Sequence, residues 1–249
     1  MIRELRRLGE TGVLALALLM ASGQAWAGRP LDTEDTRTVE PGKAELEFSL
    51  NYAKNPDNNT WSALGVFNLG VFPRFEARVE LPLLLVEPED RKSNAGVGDT
   101  LVGFKYRLLD EKDALPALLG SLTLRLPTGD ADRGLGSEDV DVGLLAAISK
   151  SFGPVTLFGH LGYTFVARDP DLNFWTLNAA VEYRATHLWT LVGEVVSSVG
   201  ESKAADVVVL RLGGIYALTD RIRVDGAVGF GVTKDSPAVI VTVGVTIAF

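Results

Sequence analysis

The chain has 249 residues, a formal net charge of −8, no cysteine and 47% hydrophobic residues. The missing cysteine excludes a disulfide framework and a thiolate metal site. The acidic balance argues against a nucleic-acid partner.

Residues 1–27 read as a secretory signal. Arg3, Arg6 and Arg7 make a positive start, diluted by Glu4 and Glu10. Val13–Met20 is a short apolar core, and Ala25-Trp26-Ala27 is a small-x-small cleavage site. The apolar run falls short of the ~20 residues a spanning helix needs. The mature chain is expected to begin at Gly28 and to form one domain, 28–249. Losing three Arg and two Glu takes the charge from −8 to −9.

After residue 27 no stretch suits a transmembrane helix. Instead about twelve segments alternate apolar and polar residues, at 43–53, 60–71, 74–86, 97–109, 115–126, 138–150, 154–167, 172–184, 187–198, 205–217, 220–233 and 237–249. Tilted membrane-spanning strands have about that length and pattern. The expected fold is all-β, a transmembrane antiparallel up-and-down barrel of about 12 strands. At ~4.8 Å spacing and ~40° tilt, such a barrel has a backbone radius of roughly 12 Å.

The connections alternate too. Lys54–Asn59, Glu87–Ala95, Pro127–Ser137, Arg168–Asp171, Val199–Ala204 and Lys234–Ser236 are longer and polar, and the connections between them are tight. Long external loops and short periplasmic turns are the barrel pattern. No external loop is long enough to be a plug domain.

Parity assigns faces. Phe75, Val79, Leu83, Val102, Phe104 and Val228 are expected to face lipid. The lumen set carries both signs. Its acids are Glu45, Glu47, Glu76, Glu80, Asp99, Asp139, Asp141, Glu182, Glu194 and Asp225. Its bases are Arg74, Arg78, Lys105, Arg107, Arg125, Arg184, Arg211, Arg221 and Arg223, with His160 beside them. A slip of one residue would carry these charges into lipid, at about 2–4 kcal/mol for Lys or Arg at midplane. The set reads either as a charge-lined conduit or as ion-paired filling. Tyr52, Trp61, Phe72, Tyr106, Phe152, Trp175, Tyr183, Trp189 and Tyr216 fall at strand ends as interfacial anchors.

The last segment, Ser236–Phe249, puts Val239, Val241, Val243, Val245, Ile247 and Phe249 on one face. An aromatic terminus on such a strand resembles the assembly signal of outer-membrane barrels, which assigns that role to Phe249.

The residues Gly96–Leu109, Leu122–Asp130, Gly134–Asp139 and Leu157–Thr164 resemble the outer-membrane "meta-pathway of phenol degradation" family. The resemblance implies a signal-bearing barrel that helps small, often hydrophobic or aromatic molecules cross. It carries no catalytic residues over.

Enzyme chemistry is not expected. The mature chain holds two histidines, His160 and His187, and has neither a Gly-x-Ser-x-Gly elbow nor a His-Glu-x-x-His pair. Asp130, Asp132, Glu138 and Asp139 form an acidic loop cluster, but their spacing matches no calcium loop. No metal or cofactor is expected. The expected partners are outer-membrane lipids and lipopolysaccharide, the barrel assembly machinery and a small solute. The reading is a monomeric channel or facilitator in the bacterial outer membrane, with a structural barrel or a hydrolase as alternatives.

Overall fold

The computed structural model describes residues 28–88 and 92–249. The signal reading of 1–27, and Glu89, Asp90 and Arg91 of the loop 87–95, lie outside the described residues. Twelve antiparallel strands close into a barrel. They are β1 (Ala44–Lys54), β2 (Asn58–Phe72), β3 (Phe75–Pro88), β4 (Asn94–Val97 continued by Thr100–Leu109), β5 (Ala117–Leu126) and β6 (Asp141–Phe152). Then follow β7 (Val155–Phe165), β8 (Phe174–Arg184), β9 (Trp189–Gly200), β10 (Val207–Ala217), β11 (Ile222–Gly231) and β12 (Val239–Ala248). Each strand pairs with its sequence neighbour, and β1 pairs with β12 from Glu45–Ala248 to Lys54–Val239. Closure removes every free sheet edge, which a strand needs in hydrocarbon.

β4 is broken at Gly98-Asp99, where its register against β3 shifts. Pro82 of β3 has no N–H for the ladder, and its carbonyl instead accepts from Gly98 at 2.9 Å.

Burial alternates along the strands as parity requires. On β10, Val207, Val209 and Arg211 are buried, while Leu210 and Leu212 are exposed. Here the exposed row is the lipid wall and the buried row faces the lumen. Aromatic pairs ring both ends. Tyr52–Trp61 and Tyr163–Trp175 stand at the long-loop end, with ring centroids 4.6 Å apart in each pair. Phe72–Phe75, at 4.5 Å, and Trp189–Tyr216, at 4.8 Å, stand at the tight-turn end.

The outer wall carries a groove of about 620 Å³ between Phe104, Leu122, Leu144, Tyr163 and Trp175. The short Gly120 and Ala146 lie in this lining. These side chains have lipid-facing parity, so the groove opens to the bilayer rather than to the lumen.

Candidate functional site: the occluded lumen

Residues 28–43 are not a strand. They begin next to β1 at the tight-turn end, where Gly42 donates to Gly70 at 2.8 Å. From there they run into the barrel, and Leu31 to Thr36 are buried. The lumen is thereby filled by the chain's own amino-terminal segment.

Why the segment stays is a matter of pairing. Backbone groups inside a barrel need partners as much as any buried backbone does. Glu194 of β9 accepts from the N–H of Asp32 at 2.9 Å and from the N–H and hydroxyl of Thr33, each at 2.8 Å. Arg211 of β10 bridges Glu194, at 3.2 Å, to Asp32. The Glu34 N–H donates to His160 Nδ1 at 2.9 Å, which fixes the imidazole proton on Nε2. The Glu34 carboxylate lies 2.7 Å from Lys105 of β4. Thr36 and Ser149 share a hydroxyl bond at 2.5 Å. Val39 N–H donates to Glu76 at 2.9 Å. Leu31 enters an apolar cluster of Phe158, Ala180 and Val192. Arg29 reaches Asp225 of β11 and Thr242 of β12, each at 3.1 Å. Its guanidinium lies against Gly244, where any Cβ would collide with it.

The sequence-derived lumen residues therefore fall into groups. Glu76, Lys105, His160, Glu194, Arg211 and Asp225 contact the segment directly, and Glu182 contacts it through Arg37 at 3.2 Å. Arg107 reaches Thr38 at 3.1 Å. Glu47, Arg78 and Glu80 are buried in the wall, with Asn68 bridging Glu47 (2.7 Å) and Arg78 (2.9 Å). Glu45 and Arg223 pair at 3.5 Å near the tight-turn rim.

Three placements need correction, and a fourth residue, Arg184, lies at the rim. Arg74 sits in a turn with φ 70° and pairs with Asp110 outside the lumen. Arg221 is an exposed turn residue, Arg184 is exposed at the strand end, and Asp139 is exposed in a loop ahead of β6. Parity counting fails outside the strands, where Arg74, Arg221 and Asp139 lie, while Arg184 keeps the parity of Glu182 as the last residue of β8, at the rim.

Asp99, Arg125 and Asp141 do something else. Asp99 accepts from the N–H of Gly129 at 3.0 Å and of Ser137 at 2.6 Å. Arg125 pairs with Asp141 and lies 3.7 Å from Asp99. Together they draw loop 127–140 inward at the long-loop end, with Leu135 buried. Gly136 leaves no room for a Cβ beside the Asp99 carboxylate. Gly98-Asp99, Pro127–Asp130 and Gly134–Ser137 thus meet as one mouth latch. Among the described residues no group of carboxylates and histidines is placed to hold a metal. Asp130 instead caps Arg133, and Glu138 pairs with Arg168 at 3.3 Å. Between the neighbouring loops 166–173 and 201–206, Lys203 lies 3.0 Å from Asp169 and 2.6 Å from Asp171. The hydrogen bond from Lys203 holds the Asp169 carboxyl below its usual range.

Between mouth and segment the lumen turns apolar. Ala53, Val207, Val209 and Ile240 form one buried cluster with Val196 and Ala205 against it. Val166, Leu172 and Phe174 form another.

A closed twelve-strand barrel with a lipid-facing apolar wall and a charged, filled interior defines an outer-membrane-type β-barrel. Residues 27–249 match the family described as "Putative MetA-pathway of phenol degradation", and the chain belongs to that family. Solved structures share the fold. An outer membrane channel from Pseudomonas putida F1 superposes with TM-score 0.67 at 16% identity, covering 88% of this chain and 100% of that one. The NanC porin gives 0.61 at 12% identity, covering 81% and 98%. The KdgM porin gives 0.55 at 11% identity, covering 82% and 99%. No curated protein matches the sequence.

Proposed function

We propose that the protein is a monomeric outer-membrane channel for small, apolar or aromatic solutes, closed at rest by its amino-terminal segment. The observation that carries this reading is the layering of the lumen. Packed apolar clusters, with Val207, Val209, Ile240 and Phe174, lie toward the long-loop end, and the charged belt and the segment lie below them. An apolar lining favours solutes that gain by leaving water, at about 25 cal/mol per Å² of apolar surface buried. The segment has no strand or helix of its own and is held by side chains, so it can leave without breaking the barrel ladder. The family and the channel and porin neighbours support a transport role rather than catalysis.

In this reading the long loops face outward and the tight turns face the periplasm. Membrane lipids and lipopolysaccharide cover the wall. Phe249, exposed at the tight-turn end with its N–H bound to the Ala44 carbonyl at 2.9 Å, presents the assembly signal to the barrel assembly machinery.

The test compares the mature chain with one lacking residues 28–40, refolded and incorporated into planar bilayers. The shortened chain should conduct several-fold more, and aromatic solutes should block it better than sugars. Equal conductance, with both barrels folded, would leave a structural role as the better account.

A further inference from the structure

Inside the lumen the segment doubles back, so that Gly28 returns to the side of Asp35 and Arg37. A Cβ built on Gly28 would stand 3.5 Å from Asp35 Oδ2 and 3.2 Å from Arg37 Nη2. Since N and Cβ share the same Cα, the Gly28 nitrogen lies within about 6 Å of both the Asp35 carboxylate and the Arg37 guanidinium that pairs with it. Asp35 is almost fully buried.

The charges around this point do not balance. Arg37 serves both Asp35, at 2.5 Å, and Glu182, at 3.2 Å. Next to them Lys105 serves Glu34, at 2.7 Å, with Glu76 at 3.8 Å and Asp35 at 3.9 Å. With each group counted once, the four carboxylates Asp35, Glu182, Glu34 and Glu76 face three cations, Arg37, Lys105 and the neighbouring Arg78. Unpaired buried charge is costly, and one more cation at this place would offset it.

We infer that this cation is the α-ammonium of Gly28, released by removal of the signal, and that it locks the amino-terminal segment in the lumen. Hydrolysis of the Ala27–Gly28 bond adds water across the C–N bond, leaving a carboxylate on Ala27 and an ammonium on Gly28. Signal removal then does two things. It exports the chain, and it makes the charged end that completes the seal. A chain with residues ahead of Gly28 carries a neutral amide there, so its seal is incomplete. The inference rests on the channel reading above and on the cleavage position.

The experiment uses four full-barrel chains whose ends are verified by intact mass. One begins at Gly28 and one carries six extra residues ahead of it. One is Asp35→Asn beginning at Gly28, and the last lacks residues 28–40. Conductance should be lowest for the first, and several-fold higher for the extended and Asp35→Asn chains, approaching the truncated one. Acylation of the Gly28 α-amine at neutral pH should be at least tenfold slower in the folded first chain than in urea. Asp35→Asn should abolish that protection.

An extended chain as tight as the first, or an α-amine that reacts equally fast folded and unfolded, overturns the lock and leaves the seal intact. A truncated chain no leakier than the first overturns the seal, and the lock with it. A native amino terminus other than Gly28 refutes the cleavage position.

Discussion

Arg211 shows what one lumen side chain holds together. It touches Asp32 on the segment and Glu194 on the wall, and all three are almost fully buried. Replacing it with Ala leaves two carboxylates without their cation. Breaking a buried pair in this way costs on the order of 3–5 kcal/mol. The segment, tied down at that point, is expected to come loose before the barrel does. Arg211→Ala should raise conductance and open residues 28–36 to protease, while the heat-modifiable barrel persists on a gel. The residue scale is also where sequence reasoning reached its limit. Glu194, Arg211, Lys105 and His160 were legible as lumen-facing because each sits at the right parity in a long alternating run. Their partners were not. Asp32, Glu34 and Asp35 lie in a stretch with no periodicity, and nothing local tells such a stretch that it will be buried. Only the long-range pairing reveals it.

At the scale of strands and loops, alternation did most of the work. All twelve segments correspond to strands, and ends differ by a few residues because turns and rims obey no parity. The lipid wall can be tested at its centre. Leu212 is 73% exposed at the middle of β10. Leu212→Arg should cost about 2–4 kcal/mol in refolding into bilayers, and Phe152→Arg at the tight-turn rim about 0–1 kcal/mol. The mouth latch was half legible. Its glycines and aspartates are visible in the sequence as part of the family resemblance and as an acidic loop cluster, but the sequence does not show that they meet Asp99. The fold adds that Asp99, on the strand beside the one that leads into the loop, is what the loop folds onto. Gly136→Val should therefore swing loop 127–140 outward, seen as faster proteolysis there with unchanged barrel stability. The Lys203–Asp169 clasp between neighbouring loops at the mouth has a definite pH window. A depressed carboxyl stabilises the folded form above its ordinary value of 3.8 and loses that effect as pH falls through its lowered value. Loop protection should thus hold through neutral pH and fade only in strong acid.

For the whole molecule, the charge distribution sets the character of any leak. Carboxylates outnumber cations around the segment, and a narrow acid-rich constriction favours cations. The small current through the intact chain should be cation-selective, measured as a reversal-potential shift in a salt gradient. Removing residues 28–40 also removes Asp32, Glu34 and Asp35, so selectivity should weaken as conductance rises.

The seam between first and last strands gives Arg29 a second meaning. Its partners, Asp225 and Thr242, belong to the last two strands to be made, and Thr242 also bonds Asn51 of β1 across that seam at 2.6 Å. The seat of Arg29 is thus complete only once β12 has paired with β1. The Arg29 end of the segment sits on the closing seam itself, so joining the first strand to the last also finishes the plug at that end.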